Sequence, residues 1–443
     1  MTAPTGTAER IIALLDHLGI ARAHFATQMP HDLASLARIA PSRMAGVVLC
    51  VPTRLDPTPF AGLASRLLLI AGDKGLTVGV VGRAVERLPG AHRHVLADYE
   101  AMGWSDVVAD RTAEVVDAMV RCLDGVASDA APAAPSRRLA ASGEHAGLTF
   151  RIEGDGPPLV LLPFFLAPSQ WDPAVAALAE RFTVIRLGGP HIGGMAALED
   201  RASAPTYRAM LHTLADLLEV GPGARVLDVG CGSGALDRIL ARRLPDGARI
   251  DAMDLNPFFV SEARALAERE GVADRIVFSR GSALDIPFPD ASFEAAFSVT
   301  VLEECDADRA LAEMVRVVRP GARIGVVVRA IDVGQWWNID VPPALAAKAG
   351  VPPQSVAPGG VADRSLYRRM RQAGLVDLVP FPAMITIDRP GGPIWRYRED
   401  AVLPQLTPDE TISWTKASER AAADGLLLHA HVLHAAVARK PAG

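Results

Sequence analysis

In the stretch VLDVGCGSG, residues 226–234, Asp228 stands two places ahead of the first of three glycines, Gly230, Gly232 and Gly234. A second aspartate, Asp254, closes the next apolar run, RIDAMDL. Glycines so spaced let a backbone turn tightly and approach a ligand. A carboxylate one strand away can accept two hydrogen bonds from the vicinal hydroxyls of a ribose. The chemistry indicated is nucleotide binding. Gly230, Gly232 and Ala235 even satisfy the dinucleotide pattern GxGxxG/A. Asp228 weighs against that ligand, because a carboxylate at the end of a buried strand would face the crevice, where it suits a cationic amine and opposes a pyrophosphate.

These residues need strands and helices to hold them. ARVLDVG, ARIDAMDL, DRIVFSRG, FEAAFSV and ARIGVVVRA read as strands with amphipathic helices between them. That alternation implies a parallel α/β sheet with crossover helices on both faces. Asn256 is placed to cap a helix that Pro257 opens, which fixes Asp254 at a strand tip. Asp251, three residues earlier, points to the other face and has no role.

The rest of the chain alternates similarly. AERIIALLDHLGI is helical, and MAGVVLCVP, RLLLIAGD and HRHVLADY are short strands. LTFRIEG, PLVLLPFF and FTVIRLGG follow, the last two separated by the helical DPAVAALAERF. The Ala/Pro/Ser-rich segment 127–143 reads as a linker, and LEDRASAP, 198–205, as a weaker break. The expected domains are 1–200 and 205–443.

The 443 residues are half hydrophobic, with a net charge of -6, and show no basic stripe of the kind nucleic-acid binders carry. The basic cluster RSLYRRMRQ, 364–372, reads as a solvated helix face. Four scattered cysteines, without metal-ligand spacing, imply a reduced compartment and no metal site. The first residues lack the build of a signal peptide, and PLVLLPFFLAP is too short to span a bilayer. We expect a soluble cytoplasmic protein whose partner is a small molecule, with no nucleic acid or membrane; a homodimer stays open.

From the glycine turn onward, four features appear in a familiar order: the turn, acidic Asp254, SALDIPFPDASFEAAFSV and RVVRPGARIGVVV. Residues 220–330 resemble a class I S-adenosylmethionine-dependent methyltransferase, and the likeness continues loosely to the C-terminus. The resemblance implies a Rossmann-like fold with S-adenosyl-L-methionine as cofactor. The turn, with Asp228, Gly230, Cys231, Gly232 and Gly234, would hold the methionine part and Asp254 the ribose. Leu255 would pack on the adenine, Ser282 and Ala283 would face its amino edge, and Ser298 would lie beside the methyl donor. Departures are Ser282 where the family usually has an acid, Glu304 where it often has histidine, and Ala322 in place of a glycine.

Methyl transfer from a sulfonium is an in-line displacement, so alignment in a dry pocket matters most and a base is needed only when the acceptor must lose a proton. The candidates are Glu304, just past the fourth strand, His191 in GGPHIGGM, and His212, for which a surface role is expected. Trp336 and Trp337 follow the fifth strand, where aromatic walls would suit a flat or apolar acceptor.

The first 200 residues resemble an α/β-hydrolase in permuted order. Residues 8–123 are similar to its second half and 147–190 to its first, joined through the linker. Where the nucleophile elbow should read GxSxG, the chain has Ala26-Thr27-Gln28-Met29-Pro30. Asp73 matches the acid, but Tyr99 and Glu100 stand where the histidine is expected. Lacking nucleophile and base, this part implies a scaffold without acyl transfer. Three functions remain open: a small-molecule methyltransferase, a non-catalytic binder of the cofactor, or a non-methylating enzyme such as a cyclase that retains it.

Overall fold

The computed structural model describes residues 6–101, 106–127, 130–135, 139–164, 167–390 and 392–442. The chain divides into two compact units, Met1–Ala196 and Ala197–Gly443.

The first unit is built on an eight-stranded sheet. Its strands are β1 (Ala23–Thr27), β2 (Met44–Cys50), β3 (Leu67–Lys74), β4 (His92–Glu100), β5 (Ser142–His145), β6 (Leu148–Glu153), β7 (Pro158–Leu161) and β8 (Thr183–Gly188). Their order is β4-β3-β2-β1-β7-β8-β6-β5, with β6 antiparallel to both β5 and β8 and the other pairs parallel. Strands β1 and β2 are buried along their whole length, as expected of parallel strands covered on both faces. Gln28 sits, buried, in the short turn between β1 and the helix Pro30–Ile39. At the end of β3 the Asp73 carboxylate accepts from the Asp98 and Tyr99 N–H groups (2.8 and 2.9 Å), which holds its pKa below the usual value. The Tyr99 hydroxyl donates to Asp110 (2.8 Å). Asp73 therefore pins β4 to β3.

The second unit carries β9 (Arg225–Val229), β10 (Arg249–Asp254), β11 (Ile276–Arg280), β12 (Phe293–Val299), β13 (Val318–Arg329), β14 (Trp336–Trp337), β15 (Val376–Pro380), β16 (Ala383–Ile387) and β17 (His429–Arg439). The order is β11-β10-β9-β12-β13-β17-β14, and β15 and β16 also pair with β17. From β11 to β13 the strands are parallel, while β17 runs antiparallel to every partner. The connection after β9 goes one way to β10 and the later one the other way to β12, so β9 ends at a topological switch point, where open α/β sheets bind ligands.

Residues alternate between two cores, one on each face. Val226 packs with Leu211 and Leu214 of the helix Pro205–Leu218, and Leu227 and Val229 pack with Leu311 and Met314 of the helix Ala307–Val317. Asn256 caps the helix Pro257–Arg269 by accepting from Phe258 and Phe259 N–H (2.9 and 3.3 Å), as its sequence position predicts. In the expected break at 198–205, LEDRAS belongs to the helix Gly193–Ser203, and Pro205 opens the next helix. A proline in the first helical turn costs no hydrogen bond, so the Ser-Ala-Pro signal marks a helix start here. Among the described residues no helix is long and apolar enough to cross a membrane.

Arg238, buried in the helix Ala235–Ala241, ties this unit together through Glu199 (2.6 Å), Glu270 (2.9 Å) and the Ser233 carbonyl (2.7 Å). Removing one member of such a network strands buried charge, so Arg238→Ala should destabilise the second unit by about 3 kcal/mol. Urea unfolding followed by tryptophan fluorescence measures this, and Arg238→Lys should recover only part of the loss.

Candidate functional site

A cleft of about 490 Å³ opens at the carboxyl ends of β9, β10 and β12, a size ordinary for small-molecule sites. The glycine turn forms its floor. Gly230 and Cys231 N–H groups both donate to the Met253 carbonyl (2.8 and 3.0 Å), which fastens the turn to β10. Gly230 has φ +86°, and a Cβ there would stand 2.3 Å from Val301, so only glycine fits. Gly234, at φ +68°, is pressed against the Phe278 ring and starts the helix Ala235–Ala241.

Asp254 stands at the tip of β10 and lines the cleft. Its Oδ2 accepts from the Gly232 N–H (2.9 Å) and its Oδ1 from the Asn256 N–H (2.8 Å). Burial raises its pKa, and the two N–H groups oppose that rise. Each oxygen keeps a lone pair for a further donor. Leu255, Ser282 and Ala283 also line the cleft, as do Gly230, Cys231, Gly232 and Glu304. Glu304 is largely exposed, with Arg329 as ion-pair partner at 3.4 Å.

Other expected residues lie elsewhere. Asp228 is buried, outside the cleft lining, with Asp237 of the following helix against it. Burial and the second carboxyl hold Asp228 well above the usual carboxylate range, so the pair retains a proton that two separate carboxylates would release. Ser298 is fully buried, and its hydroxyl donates to the Val229 carbonyl (2.8 Å) rather than facing a methyl donor; Val299, Thr300 and Val301 face the cleft instead. Gly234 shapes the turn from behind and is not part of the lining. His191 belongs to the first unit, whereas every described lining residue belongs to the second. His212 is exposed on the helix Pro205–Leu218. Trp336 is half exposed, and Trp337 packs edge-on against Trp395 and Trp414 in the core (5.0 and 5.2 Å between rings), so neither lines the cleft.

The sequence gives no sign of Arg201, in the expected break 198–205, or of Tyr207, in the helix that follows it, and both line the cleft. The Arg201 guanidinium lies 5.0 Å from the centre of the Tyr207 ring. Also missed was Glu303, fully buried beside the exposed Glu304. Its Oε1 accepts from the Arg329 N–H (2.7 Å), and burial raises its pKa to about 7.

The Asp228–Asp237 pair makes stability depend on pH. The unfolded chain releases the shared proton near pH 4 and the folded chain only at higher pH, so this contribution is present in acid and is lost as pH rises. Asp237→Asn should therefore lose less stability between pH 5 and pH 8 than the wild type, as read by urea unfolding at the two pH values.

Residues 227–326 match the methyltransferase-domain family. Methyltransferase GfsG of Streptomyces halstedii is 30% identical over 209 residues, which are 47% of this chain and 72% of that protein. Sterol 24-C-methyltransferase ERG6B of Gibberella zeae is 34% identical over 116 residues, 26% of this chain and 30% of its own. A probable chloroplastic tocopherol O-methyltransferase of Oryza sativa subsp. japonica is 39% identical over 103 residues, 23% of this chain and 28% of its own. The match to the sterol and tocopherol enzymes thus spans under a third of their length. With the glycine turn and Asp254 assembled at the switch point, and a relative matched over most of its length, the chain belongs to the S-adenosylmethionine-dependent methyltransferases.

Proposed function

We propose that this enzyme methylates a small-molecule acceptor in the cleft above β9, β10 and β12, and that the N-terminal unit is a permuted α/β-hydrolase scaffold without acyl-transfer chemistry. The observation that carries the first part is the Asp254 carboxylate, fixed by two backbone N–H groups against the glycine turn. Its free lone pairs suit a ribose diol, and the close backbone at Gly230 and Gly232 suits the methionine part. Leu255, exposed at the rim, gives an adenine an apolar face, with Ser282 and Ala283 beside it.

When bound, S-adenosylmethionine supplies an electrophilic methyl group on a sulfonium centre. The chain's own residues position and shield. Val299, Val301 and Tyr207 wall the interior, where water must be excluded. Besides Asp254, Glu304 is the carboxylate among the described lining residues, and it takes the proton of an acceptor that must lose one. Its Arg329 partner keeps that carboxylate at the mouth. The net negative charge of the chain supports a small acceptor over a nucleic acid.

The scaffold reading is supported by strand order. An α/β-hydrolase sheet cut before its nucleophile strand and rejoined end to end would run β5-β6-β8-β7-β1-β2-β3-β4, with its second strand antiparallel, and the first unit has that order. Gln28 occupies the nucleophile's place between strand and helix and carries no nucleophilic oxygen. Asp73 spends both oxygens on the β4 backbone.

Three measurements test this reading. Calorimetric titration with S-adenosylhomocysteine should give saturable binding that Asp254→Ala weakens about tenfold or more, the loss of roughly 1.4 kcal/mol; equal affinity would remove the ribose assignment. With methyl-labelled donor and a panel of small-molecule acceptors, label should pass to product in the wild type, and Glu304→Gln should slow an acceptor that loses a proton by about a hundredfold. A p-nitrophenyl ester should be hydrolysed no faster by the wild type than by Gln28→Ala, and a clear difference would overturn the scaffold reading.

A further inference from the structure

We propose that Arg398 and His431, together with Arg201 and Tyr207 at the cleft wall, form a subsite for an oxyanion, a carboxylate or a phosphate, carried by the methyl acceptor. This rests on the methyltransferase reading and deepens it by giving the acceptor a charge.

The argument begins with burial. Arg398, on the helix Pro393–Val402, is 6% exposed. A buried guanidinium is costly unless a carboxylate or comparable acceptor meets it. Among the described residues no carboxylate pairs with Arg398. Its Nη2 instead donates to His431 Nε2 at 3.0 Å. Because arginine can only donate, His431 Nε2 is the acceptor nitrogen and its Nδ1 carries the proton. That Nδ1 is buried and has no partner, and neither has Arg398 Nε or Arg201 Nε. Three buried groups able to donate thus share one region without an acceptor, where buried polar groups are normally satisfied.

Position agrees with chemistry. Leu433 of β17 pairs with Arg329 at the end of β13, so His431, two residues earlier on β17, lies beyond the carboxyl edge of the parallel strands. Arg201 and Tyr207 reach the cleft from the same edge. Of the nearby acids, Glu304 pairs with the Arg329 side chain and Glu303 accepts from the Arg329 backbone through Oε1; the Glu303 Oε2 is buried without a hydrogen-bond partner, so it does not satisfy these donors either. Electrostatics agree too. Burial, with the guanidinium groups of Arg201 and Arg329, lowers the Arg398 pKa to about 10. Burial and the same kind of neighbour, Arg398 and Arg201, keep His431 neutral. An incoming oxyanion would relieve this repulsion and accept from donors already in place, and the arginine fork matches both carboxylate and phosphate geometry.

The experiment uses the full chain saturated with S-adenosylhomocysteine, titrated calorimetrically at constant ionic strength with inorganic phosphate and, separately, with benzoate. We expect saturable binding of at least one anion, weakened about tenfold or more in Arg398→Gln and in His431→Phe, with S-adenosylhomocysteine affinity unchanged in both variants. That unchanged affinity also shows that each variant is folded, and either variant alone suffices. Binding of phosphate only points to a phosphorylated acceptor, and of benzoate only to a carboxylated one. Absence of saturable binding, or binding unaltered by the substitutions, overturns the subsite. Displacement of S-adenosylhomocysteine by the anions overturns it as well, since the donors would then serve the cofactor's own carboxylate. Failure of the wild type to bind S-adenosylhomocysteine at all would strike the methyltransferase reading instead.

Discussion

The hydrogen bond from the Gly232 N–H to the Asp254 carboxylate couples the two sides of the cleft. It ties the turn after β9 to the tip of β10, and the other oxygen of the same carboxylate is held by the start of the next helix. A side chain fixed at both oxygens by backbone needs no reorganisation when a diol arrives, which is the advantage of a preformed site. The arrangement demands glycine at 230, where Val301 leaves no room for a Cβ. It also demands Asn256 and Pro257 where they are, since the helix they open sets the direction of the strand end.

Below that turn the charge pattern is the reverse of what a strand-end aspartate suggests. Asp228 and Asp237 face each other in the interior and keep a proton between them, so they carry less negative charge than two free carboxylates would. The positive groups Arg201 and Arg329 both lie near Arg398. Of these, Arg329 has carboxylates of its own in Glu303 and Glu304, while Arg398 makes do with a neutral imidazole. The cleft therefore has carboxylates at its strand ends and one basic wall, an asymmetry that orients any ligand carrying unlike ends.

Much of this was readable in the residues, and what was not has identifiable causes. The glycine turn, Asp254 and the Asn256 cap depend on neighbours within a few positions, so local spacing reveals them. Ser298 was misplaced because strand alternation decides which of adjacent residues faces a ligand, and the frame there turns the hydroxyl inward toward Val229. Arg201 escaped because LEDRASAP resembles a break although its first six residues are helical, and Tyr207 because nothing local in its helix marks it as facing a cleft. The Trp336–Trp337 pair looked like a pocket wall, but Trp395 and Trp414, distant in sequence, claim Trp337 for the core. Arg398 and His431 stand thirty-three positions apart, and no spacing rule brings them together.

Strand β17 pairs with β13, β14, β15 and β16, all of which precede it in the chain. Its partners in β13 lie roughly a hundred residues upstream, so closing this part of the sheet is a long-range and entropically slow event. The neighbourhood of Asp254 is assembled from nearer segments and can consolidate earlier. By sequence separation alone, the nucleoside half of the cleft is the easier to close, and the basic wall depends on the last strand.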